Sequence, residues 1–234
     1  MKTYTLYLYR HGLTSANYDG TYCGHRDIPL SARGRESLNF LKENCTYPDV
    51  PVVFTSPLQR CRQSAKIMFP ENDAIEMREL IEYDFGEFDG CTAEDLKDKL
   101  EFATWLSGGP NVAPPYGETN ADFGDRIADA FIKIVEGMMK TGITETAVVT
   151  HGGVVSALMS MFAIPEAPMT EWPVDPGCGY ELRITPTLWT HGQKCEATRQ
   201  VPFVTDEFID EYDLEEYVMT EEELEAYKQG FFEG

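Results

Sequence analysis

The chain has 234 residues, 42% of them hydrophobic, enough to bury the core of one large α/β domain or two small ones. A net charge of −21 argues against nucleic acid or an anionic membrane surface as partner, because either would be repelled. Six scattered cysteines without a Cys-x-x-Cys pair or zinc spacing, no apolar run of membrane-spanning length and no signal-peptide pattern lead us to expect a cytoplasmic protein with reduced thiols.

Residues 3–9 are filled with β-branched and aromatic side chains and predict a buried strand, which breaks into Arg10-His11-Gly12. In open α/β sheets ligands bind at such C-terminal strand ends. An arginine fork suits phosphate or carboxylate, and a histidine can attack, shuttle protons or bind metal. Alone, the triplet would fit any strand-to-loop junction equally well. The stretch after Thr14, with Asn17, Asp19-Gly20 and Gly24-His25-Arg26-Asp27, favours loop. Ser31 is placed to cap a helix to about residue 44, with Leu38 and Leu41 apolar. Residues 50–55 predict a second strand, apolar on both faces. After it, Ser56 is expected to cap a helix whose first residue is Pro57, with Arg60 in the first turn, running to about residue 69.

A short strand is expected at 74–77, followed by a turn-rich stretch from Leu80 to Gly90 that mixes carboxylates, Glu82 among them, with aromatics. The pattern is helical over 92–106 and again over 119–139, where Phe123, Ile127, Ala130, Phe131 and Ile134 share one side. We read these helices as an insertion (about 92–140), not a separate domain. Residues 146–150 predict a third strand that stops at His151-Gly152-Gly153 before a helix through Met161. This repeats the opening arrangement, and a parallel sheet can bring the two strand-tip histidines together. Residues 178–185 and 187–204 read as a strand pair joined through Pro186.

Several separated motifs occur in a fixed order: Arg10-His11-Gly12-x-Thr14 with Asn17; Asp27-x-Pro29-Leu30-Ser31-x-x-Gly34; Ser56-x-Leu58-x-Arg60; Glu82 with Phe85-Gly86; Gly117-Glu118-Thr119; and His151-Gly152. Together they resemble the histidine phosphatase superfamily, with its phosphoglycerate-mutase-like fold, over roughly residues 3–185. The fold expected is α/β, a mainly parallel central sheet with helices on both faces and a helical insertion. The resemblance implies that His11 is the nucleophile and becomes phosphorylated. It also implies that Arg10, Arg60 and His151 surround the phosphoryl group, with Asn17 assisting and Thr14 and Gly152 in the same binding set. Glu82 matches the family's proton donor. Leu13 departs from the Glu or Gln of many members, which bears on substrate preference. Within the family, Tyr22-x-Gly24-x-x-Asp27-x-Pro29-Leu30 and Val174-Asp175-x-Gly177-Cys178 resemble segments of the small phosphatases that include alpha-ribazole phosphatase.

These residue types suit the chemistry. A phosphomonoester repels anionic nucleophiles, whereas a neutral imidazole can approach it. Two arginines and a protonated His151 would balance the equatorial oxygens, and Glu82, its pKa raised beside Tyr83 and Phe85, would protonate the leaving alkoxide. No metal or cofactor is required. A solvated turn residue is the alternative for Glu82. His25 and His191 read as surface or turn residues, although the loop of His25 can lie over the pocket. The expected activity is a metal-independent phosphomonoesterase acting on a small metabolite, within a domain of residues 1–204. A phosphoglycerate mutase is the alternative enzyme and an inactive binding module the alternative of another class. Against mutase chemistry, only Lys97, Lys99, Arg126, Lys133 and Lys140 supply cations between Glu82 and His151, with no adjacent arginine pair. Residues 205–234 hold twelve Asp or Glu against Lys228 alone, a net −11, and predict an acidic helix that solubilises the domain.

Overall fold

The computed structural model describes residues 2–204; the acidic segment, with its expected helix, lies outside the described residues. The first half of the chain supplies β1 (Tyr4–Arg10), α1 (Ser15–Tyr18), α2 (Ala32–Asn44), β2 (Cys45–Thr46), β3 (Val53–Thr55), α3 (Gln59–Met68), β4 (Ile75–Glu76), α4 (Ala93–Leu96) and α5 (Leu100–Leu106). The second half supplies α6 (Asn120–Thr141), β5 (Glu145–Thr150), α7 (Gly152–Phe162), β6 (Ala163–Ile164), β7 (Gly179–Ile184), α8 (Pro186–Gly192), β8 (Cys195–Val201) and β9 (Phe203–Val204). Among the described residues, seven strands form one sheet in the order β4-β3-β5-β1-β7-β8-β6. Its pairs are parallel from β4 to β1 and again between β8 and β6, while β7 runs antiparallel to both its neighbours.

Side-chain alternation at period two divides β1 between two layers. Leu6 and Leu8 join Val148 against Ile127, Phe131 and Ile134 of α6 and Val154 and Leu158 of α7. Tyr7 and Tyr9 join Ala147 and Val149 on the other face, against Leu38 of α2 and Cys61, Ala65 and Met68 of α3. Each buried leucine contributes about 1.5–3 kcal/mol of transfer free energy. The apolar-on-both-faces reading of the central strands therefore corresponds to helices on both sides.

Four local expectations differ from the structure. The stretch after Thr14, expected as loop, opens with the one-turn helix α1, which the Thr14–Asn17 capping box starts. The helix after Ser56 starts two residues late, at Gln59 with Leu58 as its cap, and Ser56 turns instead toward β5. The stretch 92–106 forms two short helices rather than one. On a single helix, Leu96 and Phe102 would stand about 120° apart; the break lets both enter one aromatic cluster with Phe88. Residues 187–192 are helical, not strand: Thr185 Oγ1 accepts from the Leu188 amide at 3.2 Å and Pro186 opens the helix.

Candidate active site

Strand register sets the site. Arg10 pairs with Thr150 across the parallel β1–β5 ladder, so His11 and His151 leave the sheet side by side. The His11 amide donates to Thr150 O at 2.9 Å, and the two ring centroids lie 5.2 Å apart. The next strand delivers Ser56 to the same edge, its amide bonded to Val149 O at 3.1 Å. Gly12 is held by Ser64 of α3, whose Oγ accepts from its amide at 2.9 Å.

His11 Nδ1 donates to Gly12 O at 2.7 Å, since a carbonyl only accepts. Burial, with Arg60 and Arg10 close by, holds its pKa well below the ordinary histidine value. The ring is therefore neutral, with its lone pair on Nε2. His151 is neutral too in the resting site, whereas the protonated ring expected from the sequence was for a site holding a phosphoryl group. Its pKa is lowered by complete burial, Arg60 and His11. Moreover Arg60 Nε donates to its Nδ1 at 3.2 Å, which a protonated nitrogen could not accept. The ring proton then lies on Nε2, donated to Ser56 Oγ at 2.8 Å. Arg60, fully buried, also donates from Nη1 to Arg26 O and from Nη2 to Gly24 O, both at 2.7 Å, tying the 23–26 loop over the site. Arg10 reaches Val174 O from Nη1 at 2.9 Å and lies against Gly152.

The Glu82 carboxyl is buried at the N-terminus of α7, accepting from the Gly153 amide and from the Tyr83 amide, each at 2.9 Å. Burial raises its pKa, opposed by those two hydrogen bonds. A Cβ at position 153 would stand 2.5 Å from Glu82 Oε1, so the carboxyl can occupy this place only beside glycine. It is thus a packed group rather than a solvated turn residue.

Thr14 and Asn17 form a capping box: the Thr14 amide and hydroxyl both donate to Asn17 Oδ1 at 2.9 Å. With those groups engaged, Asn17 has its Nδ2 amide to offer an anion, whereas the Thr14 hydroxyl is already committed. His25 reaches further than a surface residue, donating from Nε2 to Glu82 O at 3.0 Å, with Asp84 Oδ2 3.5 Å from Nδ1. His191 is exposed and bonds to Thr187 O one turn back. Sequence reasoning overlooked the partnership of Ser56 with His151, because a serine before proline signals a helix cap. It also left Ser64, Gly153 and the Arg126–Glu118 pair without a role. The signal for Arg126 was the run 79–84, whose carbonyls have no strand ladder to satisfy them.

Two neutral imidazoles, a carboxyl of raised pKa and buried arginines at the C-terminal edge of a mainly parallel sheet suit transfer of an anionic group through a histidine. The model of the histidine phosphatase superfamily (branch 1) matches residues 6–196, and the chain belongs to that superfamily. It is a phosphoric monoester hydrolase. Among its relatives, the adenosylcobalamin/alpha-ribazole phosphatase of Escherichia coli K12 is 30% identical over 184 residues, 76% of this chain and 89% of that protein. The crystal structure of the alpha-ribazole phosphatase from Shigella flexneri superposes with a TM-score of 0.72 at 26% identity, covering 85% of this chain and 96% of that one. A 2,3-bisphosphoglycerate-dependent phosphoglycerate mutase of Bartonella bacilliformis is 26% identical over 66% of this chain and 79% of its own length. In the described residues no helix is long and apolar enough to cross a membrane.

Proposed function

We propose that the protein hydrolyses a small phosphomonoester through phospho-His11, with alpha-ribazole phosphate the leading candidate. The observation that carries the mechanism is the fixed tautomer of His11: Nδ1–H on Gly12 O leaves Nε2 as the nucleophile. Nε2 attacks phosphorus, and the ester oxygen departs with the proton of Glu82. Arg10 and Arg60 balance the equatorial oxygens, with the Asn17 amide and the Gly152 backbone alongside. His151, its resting proton on Nε2, gains a second proton as negative charge enters the site. In the return half, the Glu82 carboxylate takes a proton from water, which attacks phospho-His11 and frees phosphate and the imidazole.

The substrate proposal rests on the two alpha-ribazole phosphatases among the named relatives and on the motifs around Tyr22 and Val174. Hydrolysis is favoured over mutase chemistry because cations of the insertion are already partnered. Arg126 is paired with Glu118, Lys97 with Glu94 and Lys133 with Glu79. That leaves less positive charge for a second phosphate or carboxylate. A panel of phosphorylated metabolites assayed for phosphate release tests this reading. Alpha-ribazole 5′-phosphate is expected to give the highest kcat/KM, and 3-phosphoglycerate with catalytic 2,3-bisphosphoglycerate to give no 2-phosphoglycerate. Rapid isomerisation would replace the hydrolase reading with the mutase one.

A further inference from the structure

Arg126, on α6, points its guanidinium at the segment that carries Glu82. Nη1 donates to Glu79 O at 2.8 Å and Ile81 O at 2.6 Å, and Nη2 donates to Glu82 O at 2.8 Å. The remaining two N–H groups fork onto Glu118, Nε to Oε2 at 2.9 Å and Nη2 to Oε1 at 2.6 Å. All five donors of the side chain are thereby used. Glu118 Oε1 also accepts from the Asp84 amide at 2.7 Å. The pair thus grips backbone on both sides of Glu82, in a stretch outside any strand ladder. His25 adds a second donor to the same Glu82 carbonyl.

We infer that Arg126, oriented by Glu118, is a positioning residue for phosphoryl transfer: it fixes the 79–84 backbone so that the Glu82 carboxyl stands at the α7 N-terminus facing the leaving oxygen. This rests on the proposed role of Glu82 as proton donor. A general acid works only within hydrogen-bond reach of its target, and a displacement of about 1 Å can cost 10²-fold. The fork explains why arginine serves here. Three carbonyls and one carboxylate need five donors in a plane, which lysine cannot supply.

The test compares phenyl phosphate with p-nitrophenyl phosphate, esters of similar size whose leaving groups differ in their need for a proton. The quantity read is kcat/KM, which covers the steps through departure of the leaving group. Glu82→Gln is expected to lose about 100-fold or more on phenyl phosphate relative to p-nitrophenyl phosphate, within the range of general-acid effects. Arg126→Met should shift the same ratio by about 10-fold, and the Glu82→Gln/Arg126→Met double variant should match Glu82→Gln alone. If Glu82→Gln discriminates while Arg126→Met loses equally on both esters, the positioning role is overturned and the Glu82 reading stands. If Glu82→Gln itself treats the esters alike, both fall. Circular dichroism checks the fold. Should Arg126→Met fail to fold, Arg126→Lys, which keeps the charge but cannot reach three carbonyls at once, must show the same discrimination, and an equal loss on both esters would overturn the inference.

Discussion

Arg60 and His151 share a 3.2 Å hydrogen bond in which the guanidinium Nε donates and the imidazole Nδ1 accepts. The bond exists only while that ring is neutral, so in the proposed mechanism positive charge on His151 follows the substrate rather than preceding it. A phosphoryl dianion offsets the desolvation that otherwise opposes protonation. The resting site is therefore less cationic than its composition suggests.

A phosphoryl group is expected to reside transiently on His11. Brief exposure to labelled substrate followed by alkaline denaturation should leave label on the wild-type chain and none on His11→Ala, with turnover reduced roughly 10³-fold or more. Equal labelling of the variant would remove His11 from the role.

Ser56→Ala should leave the His151 Nε2–H without its hydroxyl acceptor while Arg60 still holds Nδ1 as an acceptor. Loss of one buried hydrogen bond is worth about 1–3 kcal/mol, so kcat/KM is expected to fall roughly 10-fold. Nitrogen NMR of the imidazoles should show the protected Nε2–H resonance of His151 broaden or vanish. An unchanged resonance with full activity would reduce Ser56 to a packing residue.

Gly153→Ala places a methyl group where the Glu82 carboxyl lies, 2.5 Å from Oε1 and 3.1 Å from Cδ. Alanine favours a helix over glycine by about 1 kcal/mol, so thermal stability gives no reason for a loss. A fall of about 10²-fold in kcat/KM with an unchanged circular dichroism spectrum is expected. Activity within a few-fold of wild type would show that the carboxyl works equally well elsewhere.

Two pH effects follow from burial. His11 and His151 bind protons less readily in the folded chain than in the unfolded one. Below about pH 6.5 the unfolded state holds more protons, so stability present above that pH drains as the pH falls toward the folded values. Urea unfolding between pH 7.5 and 5 should show this loss, reduced in His11→Ala/His151→Ala. Glu82 is shifted the other way, and the acid form that the reaction requires is depleted as pH rises through its raised pKa. The falling limb of kcat/KM against pH should accordingly be absent in Glu82→Gln.

The strand tips were readable because short apolar runs end abruptly in Arg10-His11 and in His151, and a parallel pairing needs nothing beyond that pattern to set them adjacent. Other features depended on distant partners. Ser56 before Pro57 carries a local cap signal, and only the position of β5 shows that its hydroxyl meets an imidazole 95 residues away. Arg126 on an amphipathic helix reads as a solvated charge, since the carbonyls it serves belong to another segment. Thr187 and Trp189 have β-forming side chains, and their strand preference masked the Thr185-Pro186 start of α8. The neutral resting state of His151 was not readable, because desolvation cannot be seen in sequence.

The Arg10–Thr150 pairing has a consequence for how the enzyme comes into being. His11 and His151 are separated by 140 residues, so a growing chain carries Arg10, His11, Arg60 and Glu82 long before it has a reactive pair. Closing that contact requires β5 to dock late between two strands already made, a non-local step of the kind that slows folding. Cut within the 107–117 loop, the chain would yield two pieces, each with one of the two strand-tip histidines and neither with a phosphatase site. Their activity would be a measure of reassociation.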